Sequence, residues 1–420
     1  MMAIKQKAMN EALFFMESLK IIYKLYFCRM KNIFLYFLLA TFQMGAQPFS
    51  RKVITGAAQM DAYLPLIQNK KVALLVNQTS VVGDTHLVDT LLSAGIEIVK
   101  IFAPEHGFRG TADAGEKVKS GMDTRTGLPI ASMYGASKKP SKESMAGIDV
   151  VIFDIQDVGA RFYTYISSLQ YMMEACAASG AFMIVLDRPN PNGHYVDGPV
   201  LEKKHRSFVG MQMIPVVHGM TVGEYANMLK GEQWLNTAQS CSLKVITCLN
   251  YDHRTLYQLT IPPSPNLKSM SAIWLYPSLC LFEGTIVSVG RGTPRPFEVW
   301  GHPSFKNNGF SFTPKSVEGA KNPLYENQIC FGANLQLPPS DILRIVDGKL
   351  NLSFILNAYS LCKNKSTFFN DFFIKLSGTE QLKKQIIQGM KEQEIRESWL
   401  TGLKQFKKIR KKYLLYPDFE

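Results

Sequence analysis

The sequence predicts an α/β protein: a Rossmann-like or flavodoxin-like, mostly parallel sheet in an N-terminal domain, followed by a smaller C-terminal α/β domain. Three observations lead there. Short, fully apolar runs alternate with helical patterns between residues 71 and 187, as expected of a parallel sheet covered on both faces. The chain has 420 residues, enough for about two or three domains at roughly 100–200 residues each. From about Ser271 the texture changes, with longer loops and recurring Pro, Phe and Gly, as in Tyr276-Pro277 and Gly290-Arg291-Gly292. The expected division is an extension over 1–46, the Rossmann-like domain over 47–270 and the smaller domain over 271–420.

The elements follow in order. Residues 71–77 are an apolar run ending at Asn77 and read as the first strand. Residues 86–94 have helical spacing and stop at Gly95. Residues 96–102 alternate and read as the second strand, and 149–154 as the third. Residues 163–179 read as a helix closed by Gly180, which takes the left-handed conformation of a helix end at little cost. Residues 182–187 are the fourth strand. Thr221 and Glu224 have capping-box spacing at a helix start. The last forty residues carry ten basic and five acidic side chains and look helical. No GxGxxG follows the first strand, which runs into Asn77-Gln78-Thr79-Ser80, and no GxxxxGK run occurs. The layered fold therefore implies neither NAD nor ATP.

Composition narrows the function. With 46% hydrophobic and 19% charged residues, the chain is globular and not disordered, collagen-like or coiled-coil. The formal charge is +13, which alone suggests an anionic partner. Met30-Lys31-Asn32, the apolar stretch over 33–42 and Gln43-Met44-Gly45-Ala46 have the layout of a secretory signal, too short for an ordinary membrane span. Removing 1–46 takes away six basic and two acidic side chains and leaves +9. The expected location is periplasmic or secreted, with no stable membrane insertion after cleavage. Six cysteines remain; Cys176, in an apolar helical stretch, and Cys280, between two leucines, read as buried free thiols. No zinc-ligand spacing occurs, and neither a metal nor a cofactor is expected. The signal and the lack of a recognition motif also argue against nucleic acid.

Ligands of an open parallel sheet bind beyond the carboxyl ends of its strands, and those ends are unusually polar here. The first strand delivers Asn77; the second Glu105, His106 and Arg109; the third Asp154, Asp157, Arg161 and Tyr163; the fourth Asp187, Asn190 and Asn192. Each has a plainer explanation. Asp154 and Asp187 are also fit to cap helices, Arg161 to pair with Asp157, His106 to orient Glu105, and Pro-Asn-Pro-Asn-Gly to turn the chain. Glu105, between Pro and His beyond a buried strand, has no evident packing task. Further along, His218, the Gly-flanked Arg291 and the secondary acid Glu283 are site candidates, whereas Glu224 reads as a cap.

These motifs resemble those of the bacterial exo-β-N-acetylmuramidases. The matching segments are APEHGFRG at 103–110, DTRTGLPI at 123–130, SMYG at 132–135, FDIQDVGARFYTYIS at 153–167, VLDRPNPNG at 185–193, DGP at 197–199, PVVHGMTVGEYA at 215–226, PPSPNL at 262–267 and YPSLCLFEGTIVSVGRGT at 276–293. The resemblance implies a Rossmann-like catalytic domain, a smaller C-terminal domain and a cleft between them. It also implies release of N-acetylmuramic acid from the non-reducing end of peptidoglycan fragments, with Glu105 the natural catalytic acid. Glycoside hydrolysis generally needs two carboxyl groups; Glu116, Asp157, Asp154 and Asp187 are available as the second. The lactyl carboxylate of the sugar calls for an arginine, with Arg161, Arg109 and Arg291 as candidates. Tyr163 suits stacking on the sugar or bonding its acetamido group. A non-catalytic cell-wall-sugar binding protein is the rival reading. No GxSxG elbow supports an esterase or amidase.

Overall fold

In the computed structural model, which describes residues 52–105, 107–108, 120–135 and 138–420, the first apolar run forms β1 (Val72–Val76), buried at all five positions. A small antiparallel hairpin follows, β2 (Val81–Val82) with β3 (Thr85–His86). Strands β4 (Ile98–Ala103), β5 (Gly121–Met122), β6 (Pro129–Ser132), β7 (Val150–Asp154), β8 (Phe182–Leu186) and β9 (Leu243–Ile246) then complete a mixed seven-stranded sheet. Its order is β5-β6-β4-β1-β7-β8-β9. Only β5 runs antiparallel; β6, β4, β1, β7, β8 and β9 pair in parallel.

Central strands are apolar throughout because both faces are covered. Ala73 and Leu75 enter one core, and Val72, Leu74 and Val76 the other. Each fully buried aliphatic side chain contributes about 1.5–3 kcal/mol. The four strands expected from the sequence are β1, β4, β7 and β8. The helices expected over 86–94 and 163–179 form as Leu87–Ser93 and Tyr165–Ser179. Gly180 ends the latter at φ 78°. The capping box of Thr221 and Glu224 is complete at the helix Val222–Gly231.

A smaller α/β part follows. It holds an antiparallel sheet of β10 (Val299–His302), β11 (Ser311–Phe312) and β12 (Cys330–Asn334), with β12 in the middle. The Lys-rich end is helical as expected, over Gln381–Ile387, Glu392–Glu397 and Leu400–Arg410. One expectation changes. Tyr276-Pro277, read as loop texture, lies in the helix Met270–Leu279, which is buried from Ser271 onward. Pro277 has no N–H to offer the carbonyl four residues back. That carbonyl, of Ile273, accepts from Asn192 Nδ2 at 3.1 Å instead. Asn192 also donates to Val158 O at 2.8 Å, so it pins the buried helix to the loops beyond β7 and β8.

The chain then returns to the first sheet. Tyr416 donates to Asp187 Oδ2 at 2.6 Å and the Leu415 N–H to Glu224 Oε1 at 2.8 Å. Val53–Glu420 accordingly hold together as one compact unit. All six described cysteines are free and buried, Cys176 and Cys280 among them. Among the described residues no helix is long and apolar enough to cross a membrane. The signal read over 30–46 lies outside the described residues.

Candidate active site

A cavity of about 630 Å³ opens beyond the carboxyl ends of β4, β6 and β7, and the C-terminal part closes its far side. A volume of this size suits a sugar-sized ligand. Glu105 stands on its wall, two residues past β4, in a turn closed by the Gly107 N–H on Pro104 O at 3.0 Å. Its Oε2 accepts from Thr164 Oγ1 at 2.6 Å. Tyr134 lines the same cavity; burial first, and then the charge of the nearby Glu105 carboxylate, push its phenol well above its ordinary range. Thr164 immediately precedes the helix Tyr165–Ser179. Three segments, beyond β4, β6 and β7, thus meet at one carboxylate.

A second carboxylate, Glu283, lines the same cavity. Glu283 Oε1 accepts from Arg291 Nε at 2.7 Å, and Arg291 Nη2 lies 2.6 Å away. The Arg291 guanidinium sits 5.3 Å from the centre of the Phe297 ring. Much of the remaining lining is aromatic. Tyr276 packs edge-on against Phe162 at 5.5 Å, Tyr163 at 5.7 Å and Phe297 at 5.1 Å. An apolar floor flanked by two carboxylates fits a pyranose ring, with its CH face below and hydroxyls at the rim.

Glu105, Tyr163, Glu283 and Arg291 therefore line one cavity. Most of the other expected site residues do not. Arg161, expected at an anion, is fully buried. It donates to Pro199 O at 2.9 Å, Ile214 O at 2.8 Å and Leu376 O at 2.7 Å. Burial lowers its pKa to about 9. This corrects both the anion-binding expectation and the pairing with Asp157, because the guanidinium is spent on carbonyls. Asp154 is likewise corrected: it is fully buried and held bidentately by Arg188, with Nη2 to Oδ2 at 2.8 Å.

Asp187 caps a helix, though one far along the chain. It accepts from the Gly223 N–H at 2.8 Å and Thr221 Oγ1 at 2.7 Å, at the start of Val222–Gly231. Burial raises its pKa to about 6 against these donors. Asn190 donates to Met220 O at 2.8 Å and accepts from the Asn192 N–H at 2.8 Å. It also packs against Gly159, at φ 76°, where a Cβ would come within 2.2 Å of its side chain. Buried His218 accepts from the Met220 N–H at 3.3 Å. Burial first, then Arg410 and Arg161, drive its pKa to about 3, so it stays neutral.

Asp157 is enclosed beneath the cavity wall and does not line it. It accepts from the Gly159 N–H at 2.6 Å, and burial raises its pKa to about 7. His106, Arg109 and Glu116 lie outside the described residues. The site also contains residues that the sequence reading did not single out: Tyr134, Thr164, Lys138 and Phe208. Tyr134 and Thr164 fall inside the SMYG and FYTYIS motifs. Lys138 and Phe208 carry no signal in a single sequence.

The chain matches two family models, the N-terminal part of exo-beta-N-acetylmuramidase NamZ over residues 72–271 and its C-terminal part over 274–416. It is 36% identical over 390 residues to peptidoglycan beta-N-acetylmuramidase NamZ of Bacillus subtilis (strain 168), covering 87% of this chain and 92% of that protein. Two crystal structures of DUF1343 family proteins from Bacteroides fragilis NCTC 9343 are similar in fold, each covering 87% of this chain and 99% of theirs. One is 48% identical with a TM-score of 0.81, the other 27% identical with a TM-score of 0.73. Glu105 and Glu283, which line one cavity, come one from each of the two matched regions, and the chain belongs to the exo-β-N-acetylmuramidase NamZ family.

Proposed function

We propose that this exo-acting glycosidase of peptidoglycan fragments releases terminal N-acetylmuramic acid from non-reducing ends, with Glu105 as its general acid. The observation that carries the assignment is the placement of Glu105: on the cavity wall, past a buried strand, bonded by the Thr164 hydroxyl and close to the Tyr134 phenol. When the acid proton passes to the leaving oxygen, negative charge is left on the carboxylate. Thr164 and Tyr134 are positioned to take up that charge as it forms, which lowers the barrier more than it tightens ground-state binding. Glu283 is the second carboxylate in this reading, because it faces the same cavity and Arg291 fixes its orientation. Asp157, enclosed beneath the wall, is the poorer partner.

The β4-β1-β7 arrangement supports a Rossmann-like or flavodoxin-like assignment for the first part. Chain order reverses at β1, and ligands of such sheets bind beside that reversal. A division of the chain near residue 270 is supported by the two family matches, which meet there. A periplasmic or secreted location is supported by the signal pattern of residues 30–46. The test of the function is product analysis. Purified protein incubated with a disaccharide of N-acetylmuramic acid β-linked to N-acetylglucosamine is expected to yield both monosaccharides. Early release of large internal pieces from polymeric peptidoglycan would overturn the exo assignment.

A further inference from the structure

Two arginines expected at the lactyl carboxylate are already engaged: Arg161 by three backbone carbonyls and Arg291 by Glu283. Among the described residues two other cations face the cavity, Lys138 and Lys375. Lys375 is exposed. Lys138 is half-buried, with Nζ 4.5 Å from the centre of the Phe208 ring and 5.9 Å from that of Tyr134. It has no carboxylate partner among the described residues, whereas its neighbour Lys139 is bound to Glu174 at 2.8 Å.

The ledge under Lys138 is itself fixed. Phe208 stacks on Tyr171, with centroids 6.0 Å apart and planes 13° from parallel. Its carbonyl accepts from Ser167 Oγ at 2.6 Å. A cation on a ring face keeps N–H donors pointing away from the ring. Half-burial strengthens its attraction for an anion relative to open water.

We propose that Lys138 is the specificity residue that binds the lactyl carboxylate of the terminal sugar. The inference rests on the glycosidase reading above and names the group of the substrate that this part of the cavity recognises. Tyr134 links the two ends of the arrangement: it shares the cavity with Glu105, whose charge it feels, and its ring centre lies 5.9 Å from Lys138 Nζ. The glycosidic oxygen on C1 and the lactyl ether on C3 are one ring carbon apart, and the lactyl arm carries the carboxylate away from the scissile bond. Glu105 and Lys138, on either side of Tyr134 in one cavity, can therefore meet the scissile oxygen and the carboxylate of the same sugar. The Glu283–Arg291 pair is internally neutral, and among the described residues the cavity cations without a carboxylate partner are the half-buried Lys138 and the exposed Lys375.

The test is a cycle between protein and substrate. The full chain, Lys138→Met, Lys138→Arg and Lys375→Met are assayed on an aryl β-muramoside and on the same muramoside with its lactyl carboxyl capped as a methylamide. Losing one charge-assisted contact costs about ten- to a hundredfold. The wild type is expected to lose that much on the amide. Lys138→Met is expected to lose as much on the acid, chiefly in KM, and nothing further on the amide. Lys138→Arg is expected to recover most of the preference, and Lys375→Met to keep it.

Calorimetry reads the same contact without turnover. The wild type is expected to bind free N-acetylmuramic acid more tightly than N-acetylglucosamine, and Lys138→Met to bind both alike. A Lys138→Met variant that keeps the full acid-over-amide preference, or a preference lost in Lys375→Met instead, overturns the assignment. So does equal binding of the two sugars by the wild type. A wild type that binds N-acetylmuramic acid selectively yet cleaves no muramoside sinks the glycosidase reading and leaves the Lys138 contact standing.

Discussion

The rim beyond β7 and β8 and the wall beyond β4 and β6 carry the same kinds of residue, yet they do different work. At the first, Asp154, Arg161, Asp187, Asn190 and Asn192 spend their hydrogen-bonding capacity on other parts of the chain. At the second, Glu105 is held by the Thr164 hydroxyl and still faces a cavity. A polar residue at a strand end is a site candidate only when its partners leave it a face toward solvent. Residue type and position do not disclose that.

The contrast is sharpest in activity. Glu105→Gln is expected to cut turnover by about a hundred- to ten-thousandfold on a substrate with a poor leaving group, with the melting temperature little changed. A good leaving group should restore much of the rate, since it needs no proton. Near-normal turnover on the poor leaving group would break the comparison at its main point. Glu283→Gln is expected to cost at least about a hundredfold on both kinds of substrate, measured as kcat at saturation.

The enclosed rim should respond in stability and not in chemistry. Arg161→Met leaves three buried carbonyls without their donor, and each unsatisfied group costs about 1–3 kcal/mol. Urea unfolding should show a loss of about 3 kcal/mol or more. The variant's kcat per folded molecule should stay within about twofold of wild type. A variant of normal stability that fails on muramosides would return Arg161 to the substrate.

Asp157 offers a pH test. Its pKa is about 7 in the folded protein against an ordinary 3.8. Between those values the folded state holds more protons than the unfolded state, so this group's contribution to stability falls as pH rises from about 4 to about 7. Asp157→Asn removes the titration. The stability of wild type minus that of the variant should decline across that window, by an amount on the order of a few kcal/mol, and be flat outside it. His218 titrates in the opposite sense but equally in both proteins, and so cancels. A flat difference would mean that Asp157 is charged and its carboxylate paired. The smallest effect is expected for Tyr134→Phe, which removes one hydroxyl from the surroundings of Glu105 and should slow turnover by roughly tenfold.

Strands β1, β4, β7 and β8 were legible because burial on two faces requires unbroken apolar runs. β6 and β9 were not, since each has only partial burial and no continuous run. Glu105 was legible because nothing local explained it. The roles of Asp187 and Arg161 were hidden because their partners lie far away in sequence, Tyr416 by 229 positions and Leu376 by 215. Lys138 and Phe208 meet only in the folded cavity, and neither stands in a stretch with a pattern of its own.

The bond from Tyr416 to Asp187 also sets a timetable for biosynthesis. Ribosomes add about 5–20 residues per second. Asp187, which bonds β9 and the start of the helix Val222–Gly231, therefore waits roughly 10–50 s for the 229 positions that separate it from its hydroxyl donor. During that interval the nascent sheet carries an enclosed acid one donor short, and the Pro277 helix that Asn192 must clasp has not yet been made for much of it. The last buried donor to the parallel sheet thus becomes available only when nearly all of the chain has been synthesised.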